Sequence, residues 1–87
     1  MVYKVVVEKK ASRKLLKMSP EWSKRILEKI NHIATDPYGV HRNAKKLQNR
    51  DGYRLRVGDW RIFYKLEDKV MTLYMIDVLS RGSAYKK

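Results

Sequence analysis

The sequence predicts an α+β domain in which two N-terminal helices pack on one face of a small, mostly antiparallel β-sheet, in the order β-α-α-β-β-β. Three observations carry this expectation. A short β-branched run near the N-terminus precedes two segments of helical period. Ser19-Pro20 punctuates those two segments, and from Tyr53 onward the pattern changes to period-two alternation broken by tight-turn residues.

Tyr3 to Val7 is apolar and β-branched with charge behind it, which reads as a strand covered on at least one face by helices. From about Lys9 to Met18, Ala11, Leu15 and Met18 recur at helical spacing, while Arg13, Lys14 and Lys17 point elsewhere. Ser19 suits an N-cap and Pro20 the first helical position, so a second helix starts there and runs to about Thr35. Its apolar stripe is Trp22, Ile26, Ile30 and Ile33, widened by Leu27 and Ala34, and Asp36-Pro37 with Gly39 ends it. Residues 38–50 are basic and aperiodic, mostly loop, with a single turn or edge segment around Lys45 to Leu47.

Two alternating runs then flank Gly58-Asp59, and glycine at the first of two loop positions suits a type II′ hairpin. That loop sets Val57 against Trp60, Arg56 against Arg61, Leu55 against Ile62 and Arg54 against Phe63. Tyr53, Leu55, Val57, Trp60, Ile62 and Tyr64 form a core face, and Arg54, Arg56, Arg61, Phe63 and Lys65 form a cationic one. A second tight turn at Glu67-Asp68 leads into a third strand. If it too holds two residues, Lys65 faces Val70, Phe63 faces Thr72 and Arg61 faces Tyr74, so Thr72, Tyr74 and Ile76 join the arginine face.

With 87 residues the chain is expected to be one domain, residues 1–87, burying only about 60% of its unfolded surface. Against 9 Asp and Glu stand 21 Lys and Arg, a formal charge of +12, which calls for an anionic partner. The absence of cysteine excludes disulfides and thiolate metal sites, and neither His32 nor His41 has a second ligand at zinc spacing, so no metal and no cofactor are expected. No run approaches the ~20 apolar residues of a membrane span. A cytoplasmic protein with no membrane association and no small-molecule ligand is the expectation.

Like charges directly opposite each other on a sheet cost roughly 0.2 to 1 kcal/mol. Arg56 against Arg61 therefore points to an anion, and guanidinium forks match phosphate oxygens. Phe63 and Tyr74 among these cations suit base stacking. Lys45 and Lys46 lead directly into the hairpin and suit contacts to a phosphate backbone. The plainer reading of an alternating strand, a solvated polar face, is disfavoured because every charged residue between Tyr53 and Tyr64 other than Asp59 is arginine, with no glutamate opposite. The cationic helix face of Lys9, Lys10, Arg13, Lys14 and Lys17 reads as solvated surface. His32 reads as structural, and His41 sits in a basic loop.

These residues resemble the RelE/ParE superfamily of bacterial toxins from toxin–antitoxin systems. The resemblance covers nearly the whole chain in element order, and it is most specific in KKLQNRDGYRLRVGDWRIFYKLED (Lys45 to Asp68) and in RGSAY (Arg81 to Tyr85). It implies a β-sheet flanked by two N-terminal helices. For the RelE kind it also implies a ribosome-dependent mRNA endonuclease that is inhibited by a cognate antitoxin wrapped around it. Family active-site positions fall on Arg54 and Arg56, on Arg61 of the next strand, and on Arg81 and Tyr85. The first two positions are lysines in the best-known members. Arginine there cannot act as a base, which leaves Tyr85 as the candidate base, Arg61 and Arg81 as transition-state stabilisers, and Arg54 and Arg56 as phosphate holders. The ParE kind shares the fold but targets DNA gyrase, and a non-catalytic RNA-binding domain would use the same platform for affinity alone.

Overall fold

The computed structural model describes residues 2–80. Five strands and two helices follow in the order β1 (Lys4–Val7), α1 (Lys9–Lys17), α2 (Pro20–Thr35), β2 (Ala44–Lys46), β3 (Tyr53–Val57), β4 (Trp60–Glu67) and β5 (Thr72–Ser80). They form one sheet in the spatial order β1-β5-β4-β3-β2. Every neighbouring pair is antiparallel except β1 with β5, which run parallel. No helix among the described residues is long and apolar enough to cross a membrane.

The helices form where period and punctuation place them. Pro20 opens α2, and the Ser19 carbonyl accepts from the amides of Trp22 and Ser23, although the Ser19 hydroxyl makes no capping bond. The Ser23 hydroxyl instead donates to the Leu15 carbonyl at 2.6 Å, joining α2 to the end of α1. Both helices pack on one face of the sheet. Ala11, Leu15, Ile26, Ile30, Ile33 and Ala34 meet Leu55, Val57, Ile62, Tyr64, Leu73, Met75 and Val78 in a single core. Each fully buried isoleucine or leucine stabilises the fold by about 1.5 to 3 kcal/mol relative to exposure.

The first hairpin has the expected register throughout, from Val57 opposite Trp60 to Tyr53 opposite Tyr64. Gly58 has φ +58°, while Asp59 stays out of the positive-φ region, as a type II′ turn requires. The edge segment exists as β2, one residue earlier than expected, pairing Lys45 with Arg54 and Lys46 with Tyr53.

The second turn differs from the expectation. In place of two residues at Glu67-Asp68, a 3₁₀ turn over Asp68–Val70 and a left-handed Met71 (φ 45°) connect the strands. Glu67 therefore faces Thr72, and Lys65 faces Tyr74. A bulge then follows, with Tyr64 opposite Met75 but Phe63 opposite Asp77. Beyond that extra residue the faces exchange: Val78 enters the core, while Asp77 and Leu79 come round to the arginine side. The expectation that Thr72 and Tyr74 sit among the arginines is thus corrected, while Ile76, the bulged residue, lines a cavity with Arg50 and Phe63. Thr72 is buried beyond the far end of the row and donates to the Val70 carbonyl at 2.8 Å.

Candidate nucleic-acid interface

The face of the sheet turned away from the helices carries two cross-strand rows. One runs Lys45, Arg54, Phe63, Asp77 over β2, β3, β4 and β5. The next runs Arg56, Arg61, Leu79 over β3, β4 and β5. Neighbouring strands lie about 4.8 Å apart, so Lys45, Arg54, Arg56 and Arg61 fall within one compact cationic patch. The sequence builds it simply: alternation sends every second residue of the hairpin away from the core, and those residues are basic or aromatic. A small cavity at the hairpin tip is bounded by Arg56, Gly58, Asp59, Trp60 and Arg61.

Phe63 lies half-buried in the middle of the first row, and the guanidinium of Arg50 covers its ring with Cζ 5.4 Å from the centroid. Such a contact contributes about 0.5 to 1 kcal/mol at an exposed site. Asp77 is the acidic member of the row and is firmly held. Its Oδ1 accepts from Lys14 Nζ at 2.7 Å and from the Val78 amide at 2.8 Å, and Oδ2 lies 3.3 Å from Lys10 Nζ. Burial raises the Asp77 pKa, but Lys14, the Val78 amide and Lys10 together outweigh it and hold the carboxyl below its ordinary value. Lys10 and Lys14 are therefore not the plain solvated face that helical period suggested, since they anchor α1 to β5.

The structure brings together Arg54, Arg56, Arg61, Phe63 and Lys45. It does not bring in Lys46, which pairs with Tyr53 and so belongs to the opposite face of the edge strand. Tyr74 faces Lys65 at the far end of β4, four residues from Arg61, or about 13 Å along the strand. Arg81 and Tyr85 lie outside the described residues. Sequence reasoning missed Asp77, Arg50, Lys10 and Lys14 as members of this face. A signal for Asp77 did exist: with Leu73 and Met75 in the core, strict alternation would bury an aspartate, and only a bulge avoids that.

The arrangement is chemically suited to anions. Guanidinium groups present fixed forks of donors to phosphate oxygens, and the aromatic ring beside them offers a surface for a base. Among the described residues no group of three or more His, Asp or Glu side chains is placed to hold a metal ion. His41 Nε2 hydrogen-bonds the Asp36 carbonyl at 2.7 Å, and its ring meets His32 edge-on with centroids 5.9 Å apart. His32 thus sits in the last turn of α2 and His41 in the connection that follows it.

The family model of the ParE toxin of the type II toxin–antitoxin system, parDE, matches residues 5–85. No curated protein matches the chain. Among solved structures it is similar to the archaeal RelE–RelB complex from Pyrococcus horikoshii OT3, with 26% identity over 94% of this chain and 98% of that one, at TM-score 0.80. It is also similar to the toxin–antitoxin complex RelBE2 from Mycobacterium tuberculosis, with 24% identity, 93% and 100% coverage and TM-score 0.78. A mutant of the E. coli toxin RelE in the free state shares the fold at 19% identity, 98% and 88% coverage and TM-score 0.79.

Proposed function

This chain belongs to the ParE toxin family of type II toxin–antitoxin systems, within the RelE/ParE superfamily, and from that premise we propose that it is a ribosome-dependent mRNA endonuclease. The observation that carries the proposal is Arg56 opposite Arg61, with Arg54 and Lys45 in the adjoining row. Guanidinium and ammonium groups gathered on one face of the sheet are suited to a phosphodiester.

Cleavage proceeds by attack of the substrate's 2′-hydroxyl on the adjacent phosphorus, breaking the bond to the 5′-oxygen and leaving a 2′,3′-cyclic phosphate and a 5′-hydroxyl. One proton leaves the attacking oxygen and one is delivered to the departing oxygen. Arg61, with Arg81, stabilises charge on the non-bridging oxygens. Arg54, Arg56 and Lys45 hold neighbouring phosphates. Guanidinium cannot take a proton from the 2′-hydroxyl, so that role falls to Tyr85, a phenol that nearby cations would acidify. A site so poor in acid–base groups depends on orientation, and a ribosome that fixes mRNA geometry would supply it. The partners of this reading are mRNA, the ribosome and a cognate antitoxin, all favoured by the +12 charge.

A second reading, a DNA gyrase inhibitor, is favoured by the family model itself, which is that of the ParE toxin. Both are tested by adding purified protein to a cell-free translation reaction and mapping new mRNA 5′ ends, with Arg61→Ala/Arg81→Ala protein and ribosome-free RNA as controls. Cuts within translated codons, absent from both controls, support the nuclease. Intact mRNA with folded protein rejects it and turns attention to a supercoiling assay.

A further inference from the structure

Next to the arginine patch lies a cavity of about 330 Å³ whose walls include Lys10, Arg50, Gly52, Phe63, Asp77 and Leu79. Its size falls at the small end of ligand pockets, suited to one planar ring system. Two of its surfaces are flat: the Phe63 ring and the Arg50 guanidinium that covers it. Both are surfaces on which single-stranded nucleic acids stack their splayed bases. Its edge is polar in a particular order. Asp77 Oδ1 already holds two short hydrogen bonds, whereas Oδ2 has Lys10 at 3.3 Å. A carboxylate oxygen beside an ammonium presents an acceptor next to a donor, the complement of a base edge where an N–H adjoins a carbonyl oxygen. Guanine N1–H and O6 have that order.

Position supports the same reading. Phe63 faces Arg54 across one strand spacing, and Leu79 faces Arg61, so the cavity adjoins the phosphate-binding groups on two sides. A nucleotide whose phosphate meets Arg54 or Arg61 has its base beside Phe63.

We infer that this cavity is a nucleobase subsite, in which Phe63 and Arg50 stack an unpaired base while Asp77 and Lys10 read its edge. RNA as the source of the base rests on the nuclease reading; the cavity and its chemistry do not.

The test is ¹⁵N amide NMR titration of the whole chain with guanosine 5′-monophosphate, 1-methylguanosine 5′-monophosphate and ribose 5-phosphate. Guanosine monophosphate is expected to shift Gly52, Phe63 and Asp77 and to bind about tenfold more tightly than ribose 5-phosphate, the worth of one stacked base. Phe63→Ala should abolish that advantage while leaving ribose 5-phosphate binding in place. Phe63→Leu, which keeps most of the packing volume, should do the same. Methylation at N1 removes the donor and should cost much of the gain. Equal binding of nucleotide and ribose phosphate, or shifts confined to Arg54, Arg56 and Arg61, would overturn the inference, as would indifference to N1 methylation. Base binding with intact mRNA in the translation assay would reject the nuclease and keep the subsite; codon cleavage without base preference would do the reverse.

Discussion

The ring of Trp22 occupies the space that a Cβ on Gly58 would need, its Cη2 lying 2.5 Å from the ideal Cβ position. Gly58 is also at φ +58°. The hairpin tip that presents Arg56 and Arg61 is therefore seated directly on α2, and glycine is required there for two separate reasons. Gly58→Ala should lower stability by about 1 to 3 kcal/mol through backbone strain and overpacking. Urea denaturation should show a lower midpoint with unchanged slope, and a midpoint equal to that of the parent protein would contradict this account. The exposed neighbour, Asp59→Ala, should shift it little.

Arg56→Ala and Arg61→Ala should separate function from folding. Losing one donor to a developing oxyanion commonly costs about 10² to 10³ in rate, so Arg61→Ala should reduce mRNA cleavage on that scale. Arg56 is exposed and faces a like charge. Its removal should leave stability unchanged or raise it by up to about 1 kcal/mol. A thermal melt of Arg56→Ala that falls well below the parent would show the pair to be structural.

The first hairpin was legible because its period, its turn residues and its faces all agree, so one register satisfies every constraint from Tyr53 to Tyr64. The third long strand was not. Its turn has no glycine, and the left-handed position is taken by Met71, which carries no sequence signal for positive φ. Two extra turn residues and the bulge moved Tyr74 away from Arg61 and brought Asp77 in. The family resemblance named Arg54, Arg56 and Arg61, and the hairpin places those three together. Periodicity could not reveal Arg50, because a loop residue reaches Phe63 by a path that no repeat describes.

Asp77 should matter for acid stability. Its carboxyl lies below the ordinary value, so the folded state prefers the ionised form. The corresponding stabilisation is complete above the unfolded value near 3.9 and disappears as pH falls through the lower folded value. Asp77→Asn should lose about 1 to 2 kcal/mol at neutral pH, where Lys14 and Lys10 are left without their carboxylate. The difference between variant and parent should shrink between about pH 4 and pH 2. A gap that persists unchanged across that range would mean the pairing contributes nothing.

Tyr3 and Tyr38 both donate to Asp68 Oδ1, at 2.8 and 2.7 Å, joining the start of β1, the segment after α2 and the turn before β5. These bonds raise both phenol pKa values, and the Asp68 carboxyl is lowered in return. Tyr64 differs in cause, since burial first and Tyr53 second push it up to about 12. Asp68→Ala should therefore let two phenols ionise earlier in an absorbance titration up to pH 11, with Tyr64 still protonated. Tyr3→Phe and Tyr38→Phe, made singly in that background, should each remove one of the early steps. A titration curve that Asp68→Ala leaves unmoved would refute the shared acceptor.

Salt dependence reports how many cations meet nucleic acid. For single-stranded RNA the slope of log K against log salt is about −0.7 per neutralised phosphate. Engagement of Lys45, Arg54, Arg56 and Arg61, one phosphate each, thus predicts a slope of about −3. Arg54→Ala should flatten it by about 0.7. Lys46→Ala, altered on the opposite face of β2, should leave it nearly unchanged. That contrast makes the experiment specific to the face: the two variants remove the same charge from the same net +12, so a general electrostatic attraction would weaken equally in both. Equal slopes for Arg54→Ala and Lys46→Ala would mean that RNA is held by overall charge and not by the arginine rows.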